Sequence, residues 1–266
     1  MTVYDRLLIY LNKHSFRGKD RFYAFLQRFG FKKLLTVNCA FNIRMNLNPY
    51  EYIDGIAIKE GFYESEVTDA ILLNLGNNGT FWDIGANIGL HSIAVKKNRP
   101  GVNVVSFEPN PKTLGLLYEN AKLNELNIDI CEFALFDQMQ ITTLYIAEGN
   151  SGMTTITPWN KLDYKSTVKC QTLTGNYLVK NGFEIPNILK IDTEGSELQV
   201  INGCSDFLGK PEVKAVIFEG HMDLANDDSA NEIVTTLKGH GFNIITELKR
   251  KENTHHALSN YILLKS

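Results

Sequence analysis

The sequence predicts an α/β fold: a parallel sheet with helices covering its faces. Two observations carry that expectation. Short apolar runs alternate with segments of helical periodicity, from "TFWDIG" through "IDICEFAL" and again from "NILKIDTEG" to the C-terminus. Strands spaced by helices in this way build βαβ units, whose sheet is buried on both sides. The first run also ends in a glycine-bearing turn, "DIGANIG", that opens directly into a helix.

Read in order, residues 1 to about 34 form two short helices around "HSFRGKD", and "LLTVNCAFNIRMNLNP" reads as a hairpin or edge strands. "ESEVTDAILLNL" has helical spacing and stops at "GNNG". The alternation then begins: "TFWDIG", a helix through "LHSIAVKKN", "VNVVSFEP", a helix through "PKTLGLLYENAKLN", and "IDICEFAL". It breaks where "ITTLYIAEG" and "STVKCQTL" form an antiparallel pair around a polar loop. It resumes with "NILKIDTEG", a helix through "SELQVINGCSDFL", "VKAVIFEGH", a helix from about Ser229 to His240, and a closing antiparallel pair, "FNIITEL" and "LSNYILLK".

At 266 residues, the chain suits one large domain, or a domain with an extension. The boundaries expected are 1–50 for a helical and hairpin extension and 51–266 for the main domain. A net charge of −3 gives no reason to expect nucleic acid as a partner. Cys39, Cys131, Cys170 and Cys204 lie far apart with no C-x-x-C spacing, so a zinc site is not expected and free thiols suit a reducing compartment. Charges interrupt "MTVYDRLLIYLNKH" too often for a signal peptide or a membrane span, and a cytoplasmic location is expected. Tyr4, Leu7, Leu8 and Leu11 recur at helical spacing and would pack on the domain or on a second subunit, a route to a homo-oligomer.

The glycine turn raises the question of a ligand. In open parallel sheets, ligands bind beyond the carboxyl ends of the strands. Gly85 and Gly89 allow a tight turn and a close approach, and the following helix presents free N–H groups. The pattern is D-x-G-x-N-x-G and not the dinucleotide G-x-G-x-x-G. The carboxylate of Asp83 would repel a pyrophosphate and suit a cationic tail. Glu108 ends the next strand, where an acid accepts hydrogen bonds from ribose hydroxyls. A nucleoside with a cationic, zwitterionic tail is S-adenosylmethionine.

Together, "FWDIGANIGLHS", "VVSFEPNP", "LYENAKLN", "FALFD" and "ILKIDTEGSELQVINGC" resemble the FkbM-type methyltransferases, within the class I, Rossmann-like, S-adenosylmethionine-dependent enzymes. The resemblance covers roughly residues 50–220 and includes the upstream "GFYESEV". It implies a seven-stranded, mostly parallel sheet of order 3-2-1-4-5-7-6, with strand seven antiparallel. It also implies roles: Asp83, Gly85, Ala86, Asn87 and Gly89 around the methionine moiety, Glu108 on the ribose, Pro109 and Asn110 near the adenine, and Ala134 and Leu135 lining that ring. Tyr63 and Glu64 would close over the cofactor, and Asp192 would stand beside the transferred methyl. Where the family often shows "TLD", this chain has "TLT" with Thr174, so an acid there is absent.

The residues at the fourth strand suggest the chemistry. Strand alternation puts Lys190 and Asp192 on one side. Asp192 is the candidate base or acceptor-orienting group. Lys190 would tune it or bind an acidic substrate, and Glu219 and His221 share the rim at the fifth strand. An ion pair shaping the turn is the plainer reading of Lys190 and Asp192, and helix-dipole complementarity that of Glu197. Asp192, Glu194 and Glu219 are oxygen ligands of the kind that hold magnesium, although nothing in the spacing requires a metal. Residues 147–161, with Trp159, would overhang the pocket and could receive a sugar. The reaction expected is O-methylation of a small-molecule or glycan hydroxyl, with S-adenosyl-L-homocysteine as product. The alternatives are a methyltransferase acting on RNA or protein and a cofactor-binding module without turnover. The absence of N-P-P-Y or D-P-P-Y counts against amino-group methylation.

Overall fold

The structure is a computed structural model that describes residues 3–14, 18–28, 34–147, 149–158, 164–220, 228–249 and 259–265. Two helices, α1 (Val3–Lys13) and α2 (Lys19–Arg28), precede the hairpin β1 (Leu35–Cys39) and β2 (Ile43–Leu47). Helices α3 (Tyr52–Glu60) and α4 (Ser65–Asn74) lead into the sheet. Then come β3 (Gly79–Ile84), α5 (Leu90–Asn98), β4 (Val102–Phe107), α6 (Pro111–Leu123) and β5 (Asp129–Cys131). A side sheet follows, of β6 (Ala134–Leu135), β7 (Gln140–Ile146) and β8 (Ser166–Leu173). The chain closes with α7 (Gly175–Lys180), β9 (Ile188–Ile191), α8 (Glu197–Gly203), α9 (Ser205–Leu208), β10 (Ala215–Gly220), α10 (Asp228–Gly239), β11 (Phe242–Leu248) and β12 (Ser259–Lys265).

The main sheet runs β11-β12-β10-β9-β3-β4-β5. Numbering only its strands in chain order makes this the expected 3-2-1-4-5-7-6 read from the other edge. All neighbours are parallel except β12, which is antiparallel to both β10 and β11. Period-two alternation divides β3 between the two faces: Trp82 and Ile84 pack among residues of α7–α10, and Phe81 packs against α4 and α5. Helices therefore cover both faces, as the apolar strands require.

Local sequence explains the helix that follows β4. Pro111 occupies its first turn, and the Asn110 side chain accepts the Lys112 N–H at 3.1 Å as N-cap.

Several elements differ from the expectation. "IDICEFAL" is not one strand: β5 ends at Cys131 and β6 crosses to the side sheet, parallel to β8. The helix expected through "SELQVINGCSDFL" breaks into α8 and α9 at Cys204. Helix α3 was not anticipated, because Gly55 and the β-branched isoleucines weaken its local preference. It is held by burial of Ile56, Ala57 and Ile58. Leu8, Leu35, Met45 and Leu47 share one core cluster with Ala57, Ile58, Ile88 and Ile93, so the first fifty residues pack as part of the same body. Leu8 is fully buried, Leu11 half-buried and Leu7 exposed; the Tyr4 side chain lies outside the described residues. All four cysteines are free. Among the described residues, no helix is long and apolar enough to cross a membrane.

Candidate active site

Parallel register lines up the strand tips. Ile84 pairs with Phe107 and with Ile191, and Ile191 pairs with Phe218. The next residue along each strand is Gly85, Glu108, Asp192 or Glu219. One row across four adjacent strands thus holds a glycine and three acids. These four line one pocket at the carboxyl ends of the strands, where open parallel sheets bind ligands.

Gly85 makes the row possible. Its φ is +82°, and a Cβ there would run into the Asp192 carbonyl. Its N–H and that of Ala86 both donate to the Phe107 carbonyl at 3.0 Å, tying the turn to the end of β4. Asn87 takes φ 51°, a left-handed conformation that asparagine tolerates. Glu64 (φ 54°) and Glu194 (φ 56°) adopt the same region with less excuse. Strained backbone of this kind gathers at functional sites.

Glu108 is buried and supports the turn. Its Oε2 accepts the Asn87 N–H at 2.7 Å, and its Oε1 the Asn110 N–H at 2.9 Å. Burial pushes its carboxyl above the usual range, and donors from Asn110, Thr113 and Asn87 offset that only in part. A carboxylate has about four lone-pair sites, so acceptor capacity remains for a hydroxyl-bearing ligand. Pro109, Ala134 and Leu135 continue the wall beside it.

Lys190 lies at the base of the pocket. Its Nζ is 3.2 Å from Asp192 Oδ2 and 3.5 Å from Asp83 Oδ1. Burial alone would discharge it, but the carboxylates of Asp192, Asp83 and Glu64 outweigh burial and hold the ammonium charged. Lys190 is a fixed cation and not a base. Asp83 is fully buried beneath the pocket and is not part of its wall. Its Oδ2 accepts the Ser92 N–H at 3.1 Å and the Ser92 hydroxyl at 2.5 Å, which anchors the start of α5.

Asp192, Glu194 and Glu219 each present an oxygen within 4.8 Å of the others, so the three could hold a divalent ion. Burial, then Asp192, Glu219, Glu197 and Glu64, push the Glu194 carboxyl up to about 9. Glu197 braces the turn below: its carboxylate accepts the N–H groups of Thr193 and Gly195 and the Thr193 hydroxyl.

A strap of residues 150–157 closes the open side. The Ser151 hydroxyl donates to Asn87 Oδ1 at 3.3 Å and its N–H to Glu51 Oε2 at 3.2 Å. At the far end, the Thr155 hydroxyl donates to the Glu194 carbonyl at 2.8 Å, and the Thr157 and Ser196 hydroxyls meet at 2.9 Å. Of the loop expected to overhang the pocket, 147–161, the residues Ser151, Gly152, Thr154, Thr155 and Ile156 line it; residue 148 and residues 159–161, Trp159 among them, lie outside the described residues.

Of the residues singled out in sequence, Tyr63, Gly85, Ala86, Asn87, Glu108, Pro109, Ala134, Leu135, Lys190, Asp192 and Glu219 line this one pocket. Glu64, Asp83, Gly89 and Asn110 sit just behind it as supports: Glu64 begins α4, Gly89 begins α5 and Asn110 begins α6. His221 lies outside the described residues. Sequence reasoning missed Ile53, Leu144 and His91 in the wall. For His91 there was a signal: a polar ring in the first turn of the helix that opens toward the ligand.

The family described as methyltransferase FkbM domain matches over residues 83–244. The hexuronic acid methyltransferase AglP of Haloferax volcanii is 29% identical over 174 residues, 62% of this chain; the match spans 65% of that relative's length, just under two thirds. The 31-O-demethyl-FK506 methyltransferase FkbM of Streptomyces tacrolimicus is 26% identical over 195 residues, covering 62% of this chain and 73% of its own. Among solved structures, precorrin-6y C5,15-methyltransferase of Geobacter metallireducens superposes with a TM-score of 0.46 at 19% identity, over 77% of this chain and 89% of that one.

Proposed function

The chain belongs to the FkbM methyltransferase family, and from that premise we propose that it transfers a methyl group from S-adenosylmethionine to a hydroxyl of a glycan or secondary metabolite, with residues 51–266 as the catalytic domain. The observation that carries this reading is the row of Gly85, Glu108, Asp192 and Glu219 along one pocket. It offers close backbone approach, a hydroxyl acceptor and an acidic end, which are the needs of a nucleoside with a cationic tail. The pocket fits the cofactor on its own chemistry: a buried carboxylate with acceptor capacity to spare, and a turn that a Cβ would block. The names of the two relatives, which act on a hexuronic acid and on a demethylated FK506, support an oxygen acceptor in a sugar or metabolite.

Glu108 would hold the ribose hydroxyls, Ala134 and Leu135 the adenine, and Gly85 to Asn87 the amino-acid end. When bound, S-adenosylmethionine supplies a methyl on a sulfonium, open to in-line attack. Lys190 secures Asp192 through Oδ2, leaving Oδ1 to accept the proton of an incoming hydroxyl. A positioned base of this kind contributes roughly 10²–10⁴-fold. At neutral pH, Glu194 keeps its proton and donates a hydrogen bond to an acceptor oxygen. The strap excludes water and limits which acceptors reach Asp192.

Isothermal calorimetry with S-adenosylmethionine, S-adenosylhomocysteine and NAD tests the proposal, with and without magnesium. Binding of both adenosyl ligands and not NAD is expected. Folded protein that binds neither adenosyl ligand would sink the reading.

A further inference from the structure

His91 is the second residue of α5, and its ring, only 7% exposed, helps to line the pocket. Nδ1 meets the Thr68 hydroxyl at 2.8 Å. Among the described residues, Nε2 has no protein partner. Burial, then the Lys190 ammonium, push the imidazole down to about 3, so the ring is neutral across the working range. The neutral ring carries one proton: with the Thr68 hydroxyl donating to Nδ1, that proton sits on Nε2, the nitrogen left for the pocket, and with Thr68 accepting it sits on Nδ1. Helix α5 adds donors beside it. The Ser92 N–H is capped by Asp83, whereas the first-turn N–H groups of Leu90 and His91 meet no capping side chain among the described residues.

These donors stand out because the rest of the pocket is rich in acids. Asp192, Glu194 and Glu219 face it, and the buried Lys190 ammonium is committed to Asp83 and Asp192. An α-amino acid group carries an ammonium and a carboxylate on one carbon. A site for it must place acids and donors within a few ångströms of each other. The carboxylates of this pocket suit the ammonium, and a patch of uncommitted N–H groups suits the carboxylate. We propose that His91 Nε2–H, with the first turn of α5, binds the carboxylate of the cofactor's amino-acid tail, and that Thr68 is a positioning residue that holds the required tautomer. The inference rests on the cofactor reading above and extends it to a residue pair brought together by α4 and α5.

The test compares S-adenosylhomocysteine with 5′-methylthioadenosine, the same nucleoside thioether without the amino-acid group, by calorimetry. His91→Phe should weaken S-adenosylhomocysteine about ten- to a hundredfold, the span of one hydrogen bond to a charged group. Its affinity for 5′-methylthioadenosine should be unchanged, and His91→Gln should recover most of the loss. Thr68→Val should cost S-adenosylhomocysteine several-fold, with ring ¹⁵N shifts showing the proton moving to Nδ1. Equal losses for both ligands, or none for either, would overturn the proposal. If His91→Phe does not fold, the Thr68→Val result alone decides: no change in affinity or tautomer overturns it. Wild-type protein that binds neither ligand would instead defeat the cofactor reading itself.

Discussion

Replacing Glu108 with alanine separates scaffold from ligand contact at the most informative position of the pocket. The side chain accepts two buried backbone N–H groups, from Asn87 at 2.7 Å and Asn110 at 2.9 Å. Each is a hydrogen bond to a charged group, worth about 1.5–3 kcal/mol. The substitution also removes the burial cost that raises the Glu108 carboxyl. The net loss of stability should therefore be nearer ~2 kcal/mol than the sum of both bonds. Affinity should fall by about one more bond of this class, roughly 10- to 150-fold in Kd. Calorimetry with S-adenosylhomocysteine and its 2′-deoxy analogue tells the two effects apart. Wild-type protein should prefer the ribose ligand by about tenfold or more, and Glu108→Ala should show no preference. A folded variant that still discriminates between the two, or binds both as wild type does, would refute the ribose assignment whatever its stability.

Three further outcomes follow from the same contacts. Gly85→Ala combines a left-handed backbone, ~1–2 kcal/mol, with a clash against the Asp192 carbonyl. It should cost at least ~2–4 kcal/mol in urea unfolding, against ~1 kcal/mol for Gly61→Ala, where nothing crowds the new methyl; equal costs would disprove the close approach. Lys190 is held above its ordinary value, so its stabilisation is complete at neutral pH and is lost only as pH rises beyond the lysine range. Lys190→Met should thus destabilise by about 3–5 kcal/mol at pH 7, because it leaves the buried Asp83 carboxylate without its counter-charge; an unchanged urea-unfolding free energy would show that the ammonium does not hold the strand tips together. Glu194 has the same sense in a lower pH window. Its folded value is raised from 4.5 to about 9, so wild-type stability is fullest below 4.5 and declines toward 9. Glu194→Gln should melt progressively higher than wild type across that window, and a constant difference would show that the carboxyl is not crowded.

The strand tips were legible because each functional residue directly follows an apolar run: "FWDIG", "VVSFE", "ILKID" and "VIFE" can be read in one dimension. Alternation also placed Lys190 and Asp192 together correctly. The order of the sheet came from family resemblance, since nothing local says which strand neighbours which. Contacts between distant segments were not legible. Thr68 and His91 lie 23 residues apart, and Ser151 and Asn87 lie 64 apart; each pair meets only because helices and strap land on the same pocket. Asp83 was read from its acidity alone; its partners Ser92 and Lys190, which hold it beneath the pocket wall, were not legible. Helix α3 shows tertiary burial overriding propensity, with Gly55 pressed to 3.2 Å from Asn12 Oδ1 if given a Cβ.

The register row also acts as a gauge. Adjacent strands are spaced about 4.8 Å, so Glu108 and Asp192 stand roughly 10 Å apart and Glu108 and Glu219 roughly 14 Å. Those intervals are set by backbone ladders in the middle of the sheet, the part of a protein that opens last. The length of ligand this pocket measures is therefore a property of the sheet and is insensitive to side-chain changes around it. The strap is different: it is a loop held by a few side-chain contacts and one backbone bridge, between Thr155 and Tyr145. Exchanging residues 150–157 can reshape the mouth of the pocket while the distance from Glu108 to Asp192 stays the same.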